Sequence, residues 1–237
     1  MLPQGFPCLI DSHLARSGPR VPILFQEYSA LSHRHSLHDR FLAWFMARGG
    51  GKYAVFIEGR KRHLLGGLTG TVVEIGSGTG PNLRYLPRTV RFVGIEPNPF
   101  MHTHFLAEAR AEDRTVDLIQ GVAETLPFSN ESVDTVISTL VLCSVRETDR
   151  VLKEVIRVLK PGGRLLFVEH VAARQGSWLR RVQRFIRPLW RAIGDGCEPD
   201  RTTEEDLLGA GFRTVSFDRF HVPLPIVSPH ISGIAEK

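Results

Sequence analysis

Val72-Val73-Glu74-Ile75-Gly76-Ser77-Gly78-Thr79-Gly80 is the stretch on which the fold turns. Thr71 to Ile75 reads as a short apolar strand. Three glycines at alternate positions then permit a tight turn and close approach of a ligand to the backbone. The turn is expected to open a helix. A glycine-rich loop alone also suits nicotinamide enzymes, but their G-x-G-x-x-G pattern needs glycine or alanine at position 81, which is Pro81 here. The pattern is instead E-x-G-x-G-x-G, beginning at Glu74. Glu96 ends the next strand, about twenty residues after Gly76, where a carboxylate can accept hydrogen bonds from ribose hydroxyls. Glu74, beneath the loop, suits a cationic ligand better than an anionic one.

Outward from this loop the pattern alternates strand and helix. Further strands are expected at Arg91 to Ile95, Thr115 to Gln120, Val133 to Ser138 and Arg164 to Val168. Between them the clearest helix is Arg146 to Leu159, with Val151, Leu152, Val155, Ile156, Val158 and Leu159 on one stripe and Pro161-Gly162-Gly163 as its stop. Strands apolar throughout, alternating with helices, imply a parallel sheet covered on both faces. Ser177 to Ile193 interrupts the alternation with an amphipathic helix that Pro188 should kink or divide. Thr202 with Glu205 forms a capping-box pattern for a last helix, closed by Gly211. Two terminal strands follow, near Arg213 to Phe220 and His230 to Lys237. Upstream, residues 1 to about 35 are proline-rich and read as an irregular arm. A helix over Leu37 to Phe45 stops at Gly49-Gly50-Gly51, and a second runs from Val55 to Leu65.

Length and composition bound the class. The chain has 237 residues, enough for one α/β core, and a formal net charge of +5. The basic excess gathers at Arg180, Arg181, Arg184, Arg187 and Arg191, without an RNA- or DNA-binding motif, so no nucleic-acid partner is expected. No run of about 18 apolar residues and no secretory signal pattern is seen, which sets the cytoplasm as the expected location. Cys8, Cys143 and Cys197 form no C-x-x-C pair and suggest no disulfide framework. His33, His35 and His38 lack further ligands at a motif spacing, so no metal site is expected.

VVEIGSGTG, GIEPN, GVAETLPF, SVDTVISTLVLCSV and VLKPGGRLLFVEHV resemble, in order and at normal spacing, the motifs of class I S-adenosylmethionine (SAM) dependent methyltransferases. The resemblance implies a Rossmann-like α/β fold. Its sheet has seven strands, the last antiparallel, with helices on both faces and a helical substrate lid. It implies an N-terminal helical arm over residues 1–70 and a SAM-binding domain over 71–237, with a cap insertion at 174–200, in one compact unit. LVLCSV, VEHV, the Trp178 region, Gly194-Asp195-Gly196-Cys197 and Pro229-His230-Ile231 are similar to the methyltransferase-like 7 group, whose animal members are thiol S-methyltransferases. Those animal members begin with a hydrophobic membrane anchor, a feature this sequence does not display.

The resemblance assigns cofactor roles by position. Glu74, Gly76, Ser77, Gly78 and Gly80 should hold the methionine end of SAM. Glu96 should bind the ribose, with Pro97 and Asn98 beside the adenosine. Ala123 and Glu124 match the loop lining the adenine. Many family members carry Asp where this chain has Val122. Thr139 and Leu140 should face the methionine part. SAM would leave as S-adenosylhomocysteine. For the acceptor, Glu169, His170 and Asp195 are the candidate bases, and Tyr28, Cys143, Trp178 and Cys197 candidate pocket residues. A thiol acceptor needs little beyond deprotonation, because thiolate is the nucleophile. An O- or N-methyltransferase and a non-catalytic SAM-binding module are the alternatives on the same scaffold. Oligomeric state is not legible.

Overall fold

The computed structural model describes residues 23–24, 37–48 and 51–237. Tyr28, His33, His35 and Cys8 lie outside them. In chain order the elements are β1 (Ile23–Leu24), α1 (Leu37–Arg48), α2 (Gly51–Leu65), β2 (Thr71–Ile75), β3 (Arg91–Ile95), α3 (Pro99–Ala111), β4 (Asp117–Ile119), β5 (Val133–Thr139), α4 (Thr148–Val158), β6 (Leu159–His170), α5 (Trp178–Ile193), α6 (Thr203–Gly209), β7 (Thr214–His221) and β8 (Pro229–Glu236).

One sheet runs in the order β1-β4-β3-β2-β5-β6-β8-β7. β2 to β8 form the expected seven-stranded sheet, and β1 adds two residues at its edge beside β4. Every pairing on the β1 side of β6 is parallel, whereas β8 runs antiparallel to both β6 and β7. The order reverses at β2: its neighbours β3 and β5 lead to opposite edges. Ligands of open α/β sheets bind outside the carboxyl ends of the strands at such a switch point, which is where the Gly76–Gly80 loop lies.

The core has two sides because successive strand residues point to opposite faces. Val73, Ile75, Val93 and Ile95 join Val151, Leu152, Val155 and Val158 of α4 on one face. Val72, Phe92, Leu118 and Ile137 join Leu83, Phe105 and Ala109 on the other. Each fully buried Val, Leu, Ile or Phe side chain among them contributes about 1.5–3 kcal/mol. Asn98 opens α3 by accepting from the Phe100 amide (3.0 Å), with Pro99 in the first turn. Ser177 opens α5 by accepting from the Arg180 amide (3.2 Å).

Three local expectations are corrected. The glycine loop opens only one 3₁₀ turn, Leu83–Tyr85, rather than a helix. Pro87 explains the early stop, since the residue before a proline is driven extended, and Leu86 has φ −83 and ψ 145. The capping box does not form: Thr202 has ψ 50, short of the extended geometry of a helix cap, and its side chain makes no cap bond. α5 runs through Pro188 as one helix rather than dividing there, and the apolar stripe expected to pack inward is exposed alongside its arginines. Phe185 is 87% exposed and Trp178 65%. The residue buried beneath the helix is Gln183, whose amide accepts from Ala173 N (2.8 Å) and donates to the Ile226 carbonyl (3.0 Å). A buried amide with both ends satisfied costs little, so it anchors the helix in place of an apolar stripe.

Candidate active site

β2 delivers Glu74 beneath the glycine loop, fully buried. Its Oε1 accepts from Asn82 Nδ2, which also donates to Thr139 Oγ1 at 3.0 Å. This bond draws the turn after the loop inward and ties it to the end of β5. Burial pushes the Glu74 carboxyl up to about 8, opposed by Asn82 and by the buried Lys61 ammonium from α2. Burial likewise draws Lys61 down to about 8. Gly76, Gly78 and Gly80 all adopt positive φ (58°, 55° and 82°). A Cβ on Gly76 would strike the Val141 side chain at 2.6 Å, so the first glycine is required by packing as well as by conformation.

Glu96 at the end of β3 accepts from the Gly78 amide and the Asn98 amide, both at 2.8 Å. Burial pushes its carboxyl up to about 7 against these two bonds, and the nearby charge of Asp195 adds to the rise. Pro97 accepts from Gln120 Nε2 through its carbonyl (3.4 Å). Ala123 is buried, whereas the Glu124 carboxylate accepts from the Arg146 amide (3.0 Å) and so ties the loop after β4 to the loop after β5. Leu140 sits at φ 57, unusual for a branched side chain. Its amide donates to the Val168 carbonyl at 2.9 Å, which holds it there.

A second group of side chains gathers at the ends of β5, β6 and β8. Glu169 is fully buried and accepts from Ser138 Oγ (2.6 Å) and the Val141 amide (3.1 Å), anchoring the loop that carries Cys143. His170 Nε2 lies 3.0 Å from Cys197 Sγ. Trp190 Nε1 donates to the same sulfur at 3.3 Å. Bonds from Cys143, His170 and Trp190 pull the Cys197 thiol down to about 4, and sharing with Cys197 pushes the Cys143 thiol up. Antiparallel pairing sets His230 opposite His170. His230 receives Tyr53 from α2 (Oη to Nε2, 3.2 Å), while its Nδ1 meets the Ser228 carbonyl at 3.2 Å. Burial lowers His230 to about 4 and raises the Tyr53 phenol well above its usual range, so both stay neutral.

α1 spans these two groups. The Asp39 carbonyl accepts from Asn98 Nδ2 (3.0 Å), and a Cβ on Gly78 would meet the Met46 methyl at 3.9 Å. At the other end His38 Nε2 meets the Ile193 carbonyl at the close of α5 (3.2 Å). Phe41 and Trp44 stack with ring centroids 6.0 Å apart, both largely exposed. A cleft of about 560 Å³ opens elsewhere, beside the N-terminus of α4. It shares no residue with the glycine loop or the sulfur cluster. Its arginines already face acids, Arg187 with Asp200 (3.7 Å) and Arg201 with Glu198 (3.6 Å).

Of the residues singled out from sequence, Glu74, Ser77 and Glu96 are buried around the glycine loop, and Cys143, His170 and Cys197 come together. Asp195, at φ 52, lies in the turn that carries Cys197 and close to Glu96. Trp178 does not join them. It stands at the far end of α5, twelve residues or about 18 Å of helix from Trp190, the tryptophan that reaches Cys197. Sequence reasoning missed Met46, Tyr53, Lys61, Asn82 and Trp190, none of which has a local motif.

Glycine loop, paired buried acids, switch-point position and strand order together define the SAM-dependent methyltransferase class. A family model described as a methyltransferase domain matches residues 73–167. A SAM-dependent methyltransferase from Thermotoga maritima superposes with a TM-score of 0.59 at 23% identity, over 85% of this chain and 95% of that one. Human thiol S-methyltransferase TMT1B is 40% identical over 195 residues, 76% of this chain and 80% of its own length. Human thiol S-methyltransferase TMT1A is 38% identical over 173 residues, 70% of each. The chain belongs to this thiol S-methyltransferase family. Among the described residues, no helix is long and apolar enough to cross a membrane.

Proposed function

We propose that the protein transfers a methyl group from SAM to the sulfur of a small-molecule thiol. The observation that carries this reading is the 40% identity to a thiol S-methyltransferase over a span covering 76% of the chain. The site offers unpartnered polar groups to the cofactor. Glu74 Oε2 and Ser77 Oγ are buried without a protein partner. Beyond Gly78 a Cβ would meet only Met46 and the Gly76 carbonyl, at 3.9 and 4.0 Å. When bound, SAM supplies a methyl activated on a positively charged sulfur.

Glu74 and the Gly76–Gly80 backbone hold the methionine end, and a carboxylate there offsets the cofactor's charge. Glu96 accepts from the ribose hydroxyls, with Pro97 and Asn98 alongside and Ala123 near the adenine. Thr139 and Leu140 set the methyl's direction toward the loop that holds Cys143. Orientation of this kind supplies about 7–11 kcal/mol of the barrier in the most favourable models. α1 covers the glycine loop and excludes water. As the acceptor sulfur bonds to the methyl carbon, the bond from that carbon to the cofactor sulfur breaks, and the acceptor's proton must already be gone. The cluster of Cys197, His170 and Asp195 is where the protein offers groups to take it.

The test is a panel of small thiols, phenols and amines with radiolabelled SAM. Label should enter thiols. Transfer to phenols or amines with none to thiols would overturn the reading.

A further inference from the structure

Cys143, His170 and Cys197 lie on three separate segments: the loop after β5, the end of β6 and the turn after α5. Their two Sγ atoms and a ring nitrogen all lie within 4.8 Å of one another. It is the one such meeting of histidine, cysteine and acidic ligand atoms among the described residues. Cys143 and His170 are buried and Cys197 half-buried. We infer that these three side chains form a binding site for a zinc-class divalent ion, held by two thiolates and one imidazole.

Donor chemistry and framework both support the assignment. Two sulfurs and one nitrogen are a set that selects borderline-soft ions over magnesium or calcium. Zinc bond lengths of about 2.3 Å to sulfur and about 2.0–2.1 Å to nitrogen set tetrahedral ligand atoms about 3.5–3.8 Å apart. The cluster's 4.8 Å limit accommodates that spacing. His170 Nε2 and Cys197 Sγ, at 3.0 Å, need to part only slightly. Without an ion, the fully buried Cys143 thiol stays protonated, and a divalent cation would offset the charge of both sulfurs as thiolates.

The three backbones are also tied in advance. The Glu198 amide donates to the Cys143 carbonyl at 2.9 Å, and Glu169 clamps the loop before Cys143. The Trp190 indole donates to Cys197 Sγ, as outer groups do to metal-bound ligands. Three protein ligands leave a fourth position, the arrangement of catalytic rather than structural zinc. With the ion bound, Cys197 and His170 are ligands rather than bases, so a thiol entering that position loses its proton to Asp195 or to solvent, because a coordinating thiol is deprotonated outright. This last step rests on the thiol reading above; the ion site does not.

The full chain, stripped with a chelator, is titrated with Co²⁺ and then Zn²⁺. One Co²⁺ per chain is expected, with thiolate-to-cobalt charge-transfer absorption that Zn²⁺ abolishes by displacement. C143S and C197S should each weaken that absorption, and the double variant should lose it. The unmodified chain supplies a check that no folding defect can mimic: Zn²⁺ should slow iodoacetamide alkylation of both Cys143 and Cys197 at least about tenfold, reversed by chelator. Absence of the charge-transfer band, its survival in the double variant, or alkylation indifferent to Zn²⁺ would each overturn the site. Thiol methylation by a chain that binds no ion removes the ion site and leaves the proposed function. A bound ion in a chain that methylates no thiol does the reverse.

Discussion

At the scale of single residues, the ribose role proposed for Glu96 predicts that cofactor binding is pH-sensitive. Burial lifts its carboxyl from the 4.5 of an ordinary glutamate to about 7 in the free protein. Ribose hydroxyls donate to a carboxylate, not to its protonated form, so SAM affinity should fall as pH drops below about 7, approaching tenfold per unit. E96Q should bind SAM weakly at every pH and flatten the profile; calorimetric titration of both chains across pH would show it. A slope shared equally by E96Q would assign the effect elsewhere, with Glu74 next in line. Stability has the opposite sense. A raised carboxyl pKa contributes stability that is complete below 4.5 and lost as pH rises through about 7. E96Q should therefore gain in melting temperature relative to the parent as pH is raised. Gly196 shows a different sensitivity: at φ 80, a Cβ would sit 2.9 Å from the Ser144 carbonyl oxygen. G196A should cost about 1–2 kcal/mol in urea unfolding, from the left-handed backbone alone. A loss under about 0.5 kcal/mol would mean the turn relaxes freely.

At the scale of elements, β8 depends on Gly233, which pairs with Phe167 of β6 and Phe217 of β7. The two rings meet across it, centroids 6.3 Å apart, and a Cβ would come within 2.1 Å of the Ser216 carbonyl oxygen. G233V should cost more than about 2 kcal/mol by overpacking, readable as a drop in urea midpoint; a neutral result would show that β7 can move aside. Elements also show what sequence could tell. β2 and β3 match their expected bounds, because interior strands of a parallel sheet are unbroken apolar runs. β4 is three residues where six were expected, as Val116 packs in the core without joining the ladder. The apolar stripe of α5 is legible as periodicity, but periodicity does not say what lies against it, and Gln183 took the inner position. Glu74 and Glu96 were readable because each is local to its strand end. Cys143, His170 and Cys197 are each legible as single residues, but their meeting comes from the crossover of β5 to β6 and the return from α5, which no spacing records.

At the scale of the whole molecule, the glycine loop and the sulfur cluster are joined by α1 above and by the Asp195–Cys197 turn, so a ligand on one side should steady the other. S-adenosylhomocysteine at 100 times its dissociation constant adds about 2.7 kcal/mol to stability. For a chain of this size that is a rise of about 5–10 °C in melting temperature, testable by calorimetry. E96A should fold yet show little of the rise; an equal rise in E96A would remove Glu96 from the cofactor's contacts. The placing of β8 has a consequence for biosynthesis. It follows β6 and β7 in chain order, yet it inserts between them and carries His230 to the side of His170. Until β8 has left the ribosome, β6 has an unpaired edge and His170 lacks its partner His230. On the proposed function, competence to act on a substrate therefore waits for β8, and a chain cut short before it would keep the glycine loop without a finished place to use its cofactor.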